Sequence, residues 1–218
     1  CLFYDPSYYL ENPLEIIMIW KGGLASHGGA IGILIALFLF VKKFKISFLW
    51  LIDRLAVASA LGGTFIRLGN LMNSEIYGRP TDLPWGFKFV RDNRNFYDPE
   101  TGELLSQHLP CHPTQIYEAL SYFIIFIVLY WVIRKYGHKI KEGIIFAWFL
   151  ISVFTARFLI EYVKFEQSDF EVNMINKLHI NMGQLLSIPF ILVGIILLIW
   201  IRKKGKLTTS REKVTRNK

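Results

Sequence analysis

The chain has 218 residues, 53% of them hydrophobic, with a mean hydropathy of +0.35 and a formal charge of +8. It is too apolar for an ordinary soluble domain, and its charges are clustered, which is the pattern of an integral membrane protein. The basicity is not a nucleic-acid signal, because 15 of the 25 Lys and Arg fall in three short places and no RNA- or DNA-binding motif accompanies them.

Five apolar runs lie near 22–41, 48–66, 115–133, 143–163 and 182–201, each close to the roughly 20 residues that a helix needs to cross hydrocarbon. The expected fold is an all-α polytopic transmembrane bundle with five spans in this chain. The basic clusters are Lys42, Lys43 and Lys45; Arg134, Lys135, Lys139 and Lys141; and eight residues from Arg202 to Lys218. They follow alternate spans, so all three are cytoplasmic under the positive-inside rule, and segments 1–21, 67–114 and 164–181 face outward. The domain plan is a membrane domain over 1–201, interrupted by a small external insert at about 67–114, and a basic cytoplasmic tail over 202–218. Anionic membrane lipids are expected partners of the basic ends; nucleic acid is not.

The chain opens Cys1-Leu2-Phe3-Tyr4 without Met. This reads as the end of a cut membrane helix, so N-terminal helices are expected to be missing. Two cysteines, Cys1 and Cys111, are too few for a disulfide framework, and whether they pair stays open. Residues 5–20, with Pro6 and Pro13, suit short helices lying on the membrane. In the first span His27 stands beside Gly28 and Gly29, where backbone N–H groups and a positive helix end are available to an anion. Small residues in the first two spans allow close helix packing. Asp53 and Arg54, near the inner end of the second span, are read as structural.

Arg67 and Asn70 share a face if the second helix reaches that far, and Asn73 and Glu75 follow. The insert is rich in Pro, Asp, Asn and aromatic residues; Trp85, Phe87, Phe89, Phe96 and Tyr97 suit a small cap or an interfacial belt. His108 and His112 flank Pro110, and Pro113 follows, so no helix aligns the two imidazoles and no metal is expected. Tyr117 and Glu118 open the third span, and Gln184 the fifth. In the fourth span Arg157, Glu161 and Lys164 fall at i, i+4 and i+7 on one stripe. Counting ~1.5 Å per residue from Gly143 puts Arg157 roughly 21 Å from the inner side. Its simplest partner is Glu161 one turn away, with Lys164 reaching to the interface.

The polar interruptions of the spans thus collect on the outer side, where a polar substrate head group is expected to repay their cost. A transporter would need polar positions continuing through the inner half, and these thin out. A phosphatase or alcohol phosphotransferase would need a metal-binding acidic cluster or a nucleophilic His motif, and neither is found.

Five blocks carry a family resemblance: His27 to Gly32; Arg67 to Glu75, continuing to Gly78 and Arg79; His112 to Glu118; Arg157 with Glu161; and Met182-Gly183-Gln184. In this order they resemble the prolipoprotein diacylglyceryl transferase family of bacterial inner-membrane enzymes, over the chain up to about Trp200. One departure is Ile66, where the family usually has Gly. The resemblance implies a seven-helix parent with its N-terminus outside, two helices more than appear here. It also implies transfer of the diacylglyceryl group of phosphatidylglycerol to the lipobox cysteine of a preprolipoprotein, releasing glycerol phosphate, with no cofactor. On this reading the catalytic residues are His27, the candidate base, with Arg67 and Arg157 on the phosphate. The substrate-binding set is Arg67, Asn70, Asn73, Glu75, Tyr117, Glu161 and Gln184.

Overall fold

The computed structural model describes residues 26–92, 96–97, 104–106, 108–137, 139–164 and 180–204. The chain divides into two units, 1–48 and 49–218, each taken by itself. The first contains helix α1, Ser26–Phe44, whose glycine-rich start runs into a continuous apolar stretch and ends on Lys42 and Lys43. The expected surface helices over 5–20 lie outside the described residues.

The second unit is built on α2 (Phe48–Met72), α3 (Thr114–Tyr136), α4 (Ile144–Ile160) and α5 (Met182–Lys204). Four helices here are long and apolar enough to cross a membrane, α4 counting together with the 3-10 turn Glu161–Val163 that continues it. With α1 they match the five apolar runs, each shifted or lengthened by a few residues. Lysine or arginine sits in the last turn of α1, α3 and α5, where cations favour the negative helix end.

The second unit is inverted relative to a water-soluble core. Its exposed residues include Ile124, Ile127, Val128, Leu192, Val193 and Ile196, whereas Asp53, Gln115, Glu118, Glu161, Lys164, Gln184 and Ser187 are buried. Apolar side chains outside and polar groups gathered inside is the arrangement a bilayer selects.

The helices are held together by small residues and by side chains that cap helix ends. Gly194 on α5 packs against Ala147, Leu150 and Ile151 of α4, leaving no room for a Cβ. Phe154 and Phe190 stack with centroids 4.3 Å apart. Gly143 begins α4 with φ of +89°, a conformation suited to glycine. No local side chain caps that end. Asp53 of α2 does so instead, accepting from the Gly143 N–H at 2.7 Å and the Phe146 N–H at 2.8 Å. Two orphan donors of α4 are thus satisfied from another helix, while Arg54 donates to the Trp50 carbonyl and lies over its ring. Asp53 and Arg54 are structural, as their position suggested. At the same end of the bundle Lys141 donates to the carbonyls of Ile201 and Arg202, capping α5.

Beyond Met72 the described residues of the insert form turns and short strands. Strands β1 (Phe87–Lys88) and β4 (Pro110–Cys111) pair antiparallel, as do β2 (Phe96–Tyr97) and β3 (Leu104–Ser106). Tyr77 stacks on Phe89 at 4.4 Å beside buried Cys111, so two aromatics do form a cap core. Gly78 and Arg79 run between two neighbours: Gly78 N donates to His112 O and His112 N to Arg79 O, while Arg79 N donates to Val163 O. This ties the insert to the end of α4. A Cβ at Gly78 would strike the Val163 carbonyl, His112 and Thr114, so the close approach requires glycine.

Candidate active site

The second helix does continue past Arg67, to Met72, and this puts Arg67 and Asn70 on one face, with Arg67 Nη1 donating to Asn70 Oδ1 at 3.4 Å. Asn70 passes the chain on to Glu75 Oε2 at 3.1 Å. Asn73 closes the turn through its backbone, donating to Gly69 O, and its side chain is exposed. Beyond it, Ser74 and Ile76 both have φ of 58°. For a β-branched residue this conformation is a strained outlier. It is held from α3, where buried Thr114 donates to the Ile76 carbonyl at 2.9 Å and buried Gln115 to the Glu75 carbonyl at 2.6 Å. The turn that presents Glu75 is therefore fixed by two side chains from the start of another helix.

Behind this turn lies a buried ion cluster. Glu118, wholly buried on α3, forms an ion pair with Arg67, its Oε2 2.7 Å from Nε, and accepts from Lys164 Nζ at 3.0 Å. Lys164 also reaches Glu161 Oε2 at 3.1 Å. Two carboxylates and two cations thus close into a neutral chain linking α2, α3 and the end of α4. Arg67 donates to the Tyr122 hydroxyl as well, and Arg157 acts on that hydroxyl electrostatically. Among the described residues no carboxylate lies within ion-pair distance of Arg157.

The pairing that would make Arg157 merely structural is not seen. Glu161 pairs with Lys164, not with Arg157, and Lys164 is buried instead of extending to the interface. The reason is local geometry: α4 tightens into a 3-10 turn over Glu161–Val163, and Lys164 leaves it with extended backbone paired to Gly78. The straight-helix stripe does not survive that change of period.

Gln184 is buried at the start of α5. Its N–H bonds Asn181 Oδ1, its Oε1 accepts from the Asn181 N–H, and its amide lies 3.5 Å from Phe158 O. Asn181 Nδ2 in turn donates to Glu161 O at 3.1 Å. Gly183 sits directly against the Glu161 carboxylate, where a Cβ would collide with it. The Met182-Gly183-Gln184 block therefore shapes the seat of Glu161. Tyr117 lies on the cap side, its hydroxyl accepting from Trp85 Nε1 at 2.9 Å and lying 3.2 Å from His112 Nδ1. His27 falls in the first turn of α1; its side chain lies outside the described residues.

Sequence reasoning gave Glu118 and Lys164 no chemical role, yet they form the centre of the cluster. The available signal was a lysine three residues after a glutamate where an apolar helix ends. Ile66, the departure noted above, is exposed and turned away from these contacts. Between α2 and α3, an apolar cleft of about 280 Å³ is lined by Thr64, Phe65, Leu68, Ile116, Ala119, Leu120 and Phe123. Those residues are sequence neighbours of Arg67 and Glu118, so an apolar groove and a charged cluster share the same stretch of two helices. No group of three His, Cys, Asp or Glu able to hold a metal occurs among the described residues.

A family model described as prolipoprotein diacylglyceryl transferase matches residues 1–200. A phosphatidylglycerol–prolipoprotein diacylglyceryl transferase of Porphyromonas gingivalis is 49% identical over 201 residues, covering 91% of this chain and 69% of that protein. One of the same name from Tolumonas auensis is 48% identical over 204 residues, covering 93% and 72%. Another from Bacteroides fragilis is 41% identical over 216 residues, covering 94% and 72%.

Proposed function

The chain belongs to the prolipoprotein diacylglyceryl transferase family, and from that membership we propose how its residues carry the reaction. It is a multi-pass membrane enzyme that moves the diacylglyceryl group of phosphatidylglycerol onto a prolipoprotein. We place the acceptor at the lipobox cysteine thiol, in the bacterial inner membrane, with the cluster toward the periplasmic side. Residues 1–201 form the transferase body, with the basic tail of 202–218 in the cytoplasm. The observation that carries the site assignment is Arg157, a guanidinium that pairs with no carboxylate among the described residues, acting on the same Tyr122 hydroxyl as Arg67 of the buried cluster.

In the reaction the cysteine sulfur attacks the glycerol carbon that bears the phosphate ester. A C–S bond forms, the C–O bond to phosphate breaks, and glycerol phosphate leaves with the electron pair. The thiol has a reference pKa of about 8.5, so its proton must be taken by a base or its anion favoured by a cationic field. His27 is assigned as the base. Arg157 and Arg67 hold the phosphate, whose charge grows as the bond breaks; planar guanidinium groups suit it because they donate in a fork. Glu118 aims Arg67 through its Nε, leaving Arg67's terminal nitrogens for Asn70, Tyr122 and the lipid. Glu75, Asn70 and Asn73 orient the head group, Tyr117 bounds the site from the cap, and Gln184 and Glu161 fix its far wall. The groove of Phe65, Leu68 and Leu120 suits an acyl chain by its apolar lining, which replaces the lipid contacts the chain leaves.

The test is incubation of the full-length protein in membranes with glycerol-labelled phosphatidylglycerol and a lipobox peptide. Label, carried by the diacylglyceryl group, should appear on the peptide cysteine, and a Cys→Ser peptide should receive none. Label appearing on the Ser peptide, or only in free lipid, refutes thiol transfer.

A further inference from the structure

The geometry points to Lys164 as a positioning residue: by holding the Glu118 and Glu161 carboxylates, it keeps Glu161 off Arg157 and leaves that guanidinium open to an anionic lipid head group. The inference rests on the proposed assignment of Arg157. Glu161 stands four residues after Arg157, the spacing at which opposite charges on a helix ordinarily meet. Here they do not meet. The chain tightens after Ile160 and turns back, so that Lys164 Nζ comes within 3.0 Å of Glu118 and 3.1 Å of Glu161.

Three contacts hold this choice in place. The Lys164 backbone is bridged to Gly78 of the insert, Asn181 donates to the Glu161 carbonyl, and Gly183 gives the Glu161 carboxylate a seat that any Cβ would fill. Lys164 is only 5% exposed, so its charge is committed to the two carboxylates. Charge counting gives the consequence. With Lys164 present, Glu118 and Glu161 are balanced by Arg67 and Lys164, and neither pairs with Arg157. Without it, two carboxylates face Arg67 alone, and Glu161 has its nearest unpaired cation one helical turn back. A buried carboxylate left without a partner is costly; rotation toward Arg157 relieves it and occludes the anion site.

The experiment is a double-substitution cycle on the full-length protein in membranes, reading KM for phosphatidylglycerol at saturating lipobox peptide. Lys164→Gln should raise KM about tenfold or more, and the same substitution in a Glu161→Gln background should raise it less than about threefold, as coupled neighbours do. Equal rises in both backgrounds overturn the proposal, since a purely structural lysine would act regardless of Glu161. Lys164→Arg keeps a cation between the carboxylates and should stay within about threefold of wild type; a folded Lys164→Arg with a tenfold higher KM also overturns it. If Lys164→Gln does not accumulate, the Arg variant and the doubly substituted protein against Glu161→Gln alone decide the matter. Arg157→Gln retains Lys164 and tests the premise separately. A wild-type KM in that variant refutes the head-group assignment, and the proposal with it, while a raised KM with no coupling refutes the role of Lys164 alone.

Discussion

Gly183→Ala is the smallest perturbation that should disturb the charged cluster. The new Cβ falls on the Glu161 carboxyl carbon and both its oxygens, inside van der Waals contact on every count. Glu161 cannot step aside cheaply, because Lys164 holds its carboxylate and Asn181 its carbonyl. Overpacking of this kind costs about 1–3 kcal/mol. An added methyl in a helix returns at most about 1 kcal/mol of propensity, and least in a first turn such as this one. The net effect is destabilising, with the strain released by moving Glu161 and loosening its contact to Lys164. The control is Gly62→Ala on α2, where nothing lies within 4 Å of the added carbon. Heating detergent-purified protein and measuring the fraction that stays folded, together with transfer rate per folded molecule, separates the two variants. Gly183→Ala should lose both stability and rate, and Gly62→Ala should keep its stability. If Gly183→Ala melts and turns over like Gly62→Ala, the close seat assigned to Glu161 is wrong.

Arg67→Lys and Arg157→Lys keep charge but lose the fork, so both should turn over slowly at equal membrane abundance; a wild-type rate removes that residue from the phosphate site. His27→Gln should cost roughly 10² to 10⁴ in rate, and the loss should shrink at higher pH, where the peptide thiol ionises unaided. A fractional activity that is the same at every pH would place the base elsewhere. Asp53→Ala strips the cap from α4 and should lower stability by about 0.5–2 kcal/mol or more, read as a lower midpoint on heating. Asp53→Asn keeps one acceptor and should lose less, so equal losses would argue that the carboxylate charge, and not the retained acceptor, makes the cap.

The spans and the Arg67–Asn70 face were legible because both follow from period and composition, quantities carried by neighbouring residues. Residues far apart in the chain built the rest. Glu118 meets Lys164 across 46 positions, and Asp53 caps Gly143 across 90; neither pairing leaves a local trace. The misreading of Glu161 came from extending one helical period too far. The stripe Arg157, Glu161, Lys164 is sound only while the helix stays α, and the 3-10 turn at Glu161–Val163 reassigns the glutamate to the residue behind it. Nothing in the apolar run announces that turn. Its causes sit elsewhere in the chain, in Gly78 taking the Lys164 backbone and Gly183 taking the Glu161 carboxylate. Glycines that read in sequence as packing residues thus decide which carboxylate meets which cation, and through that choice they keep Glu161 from Arg157.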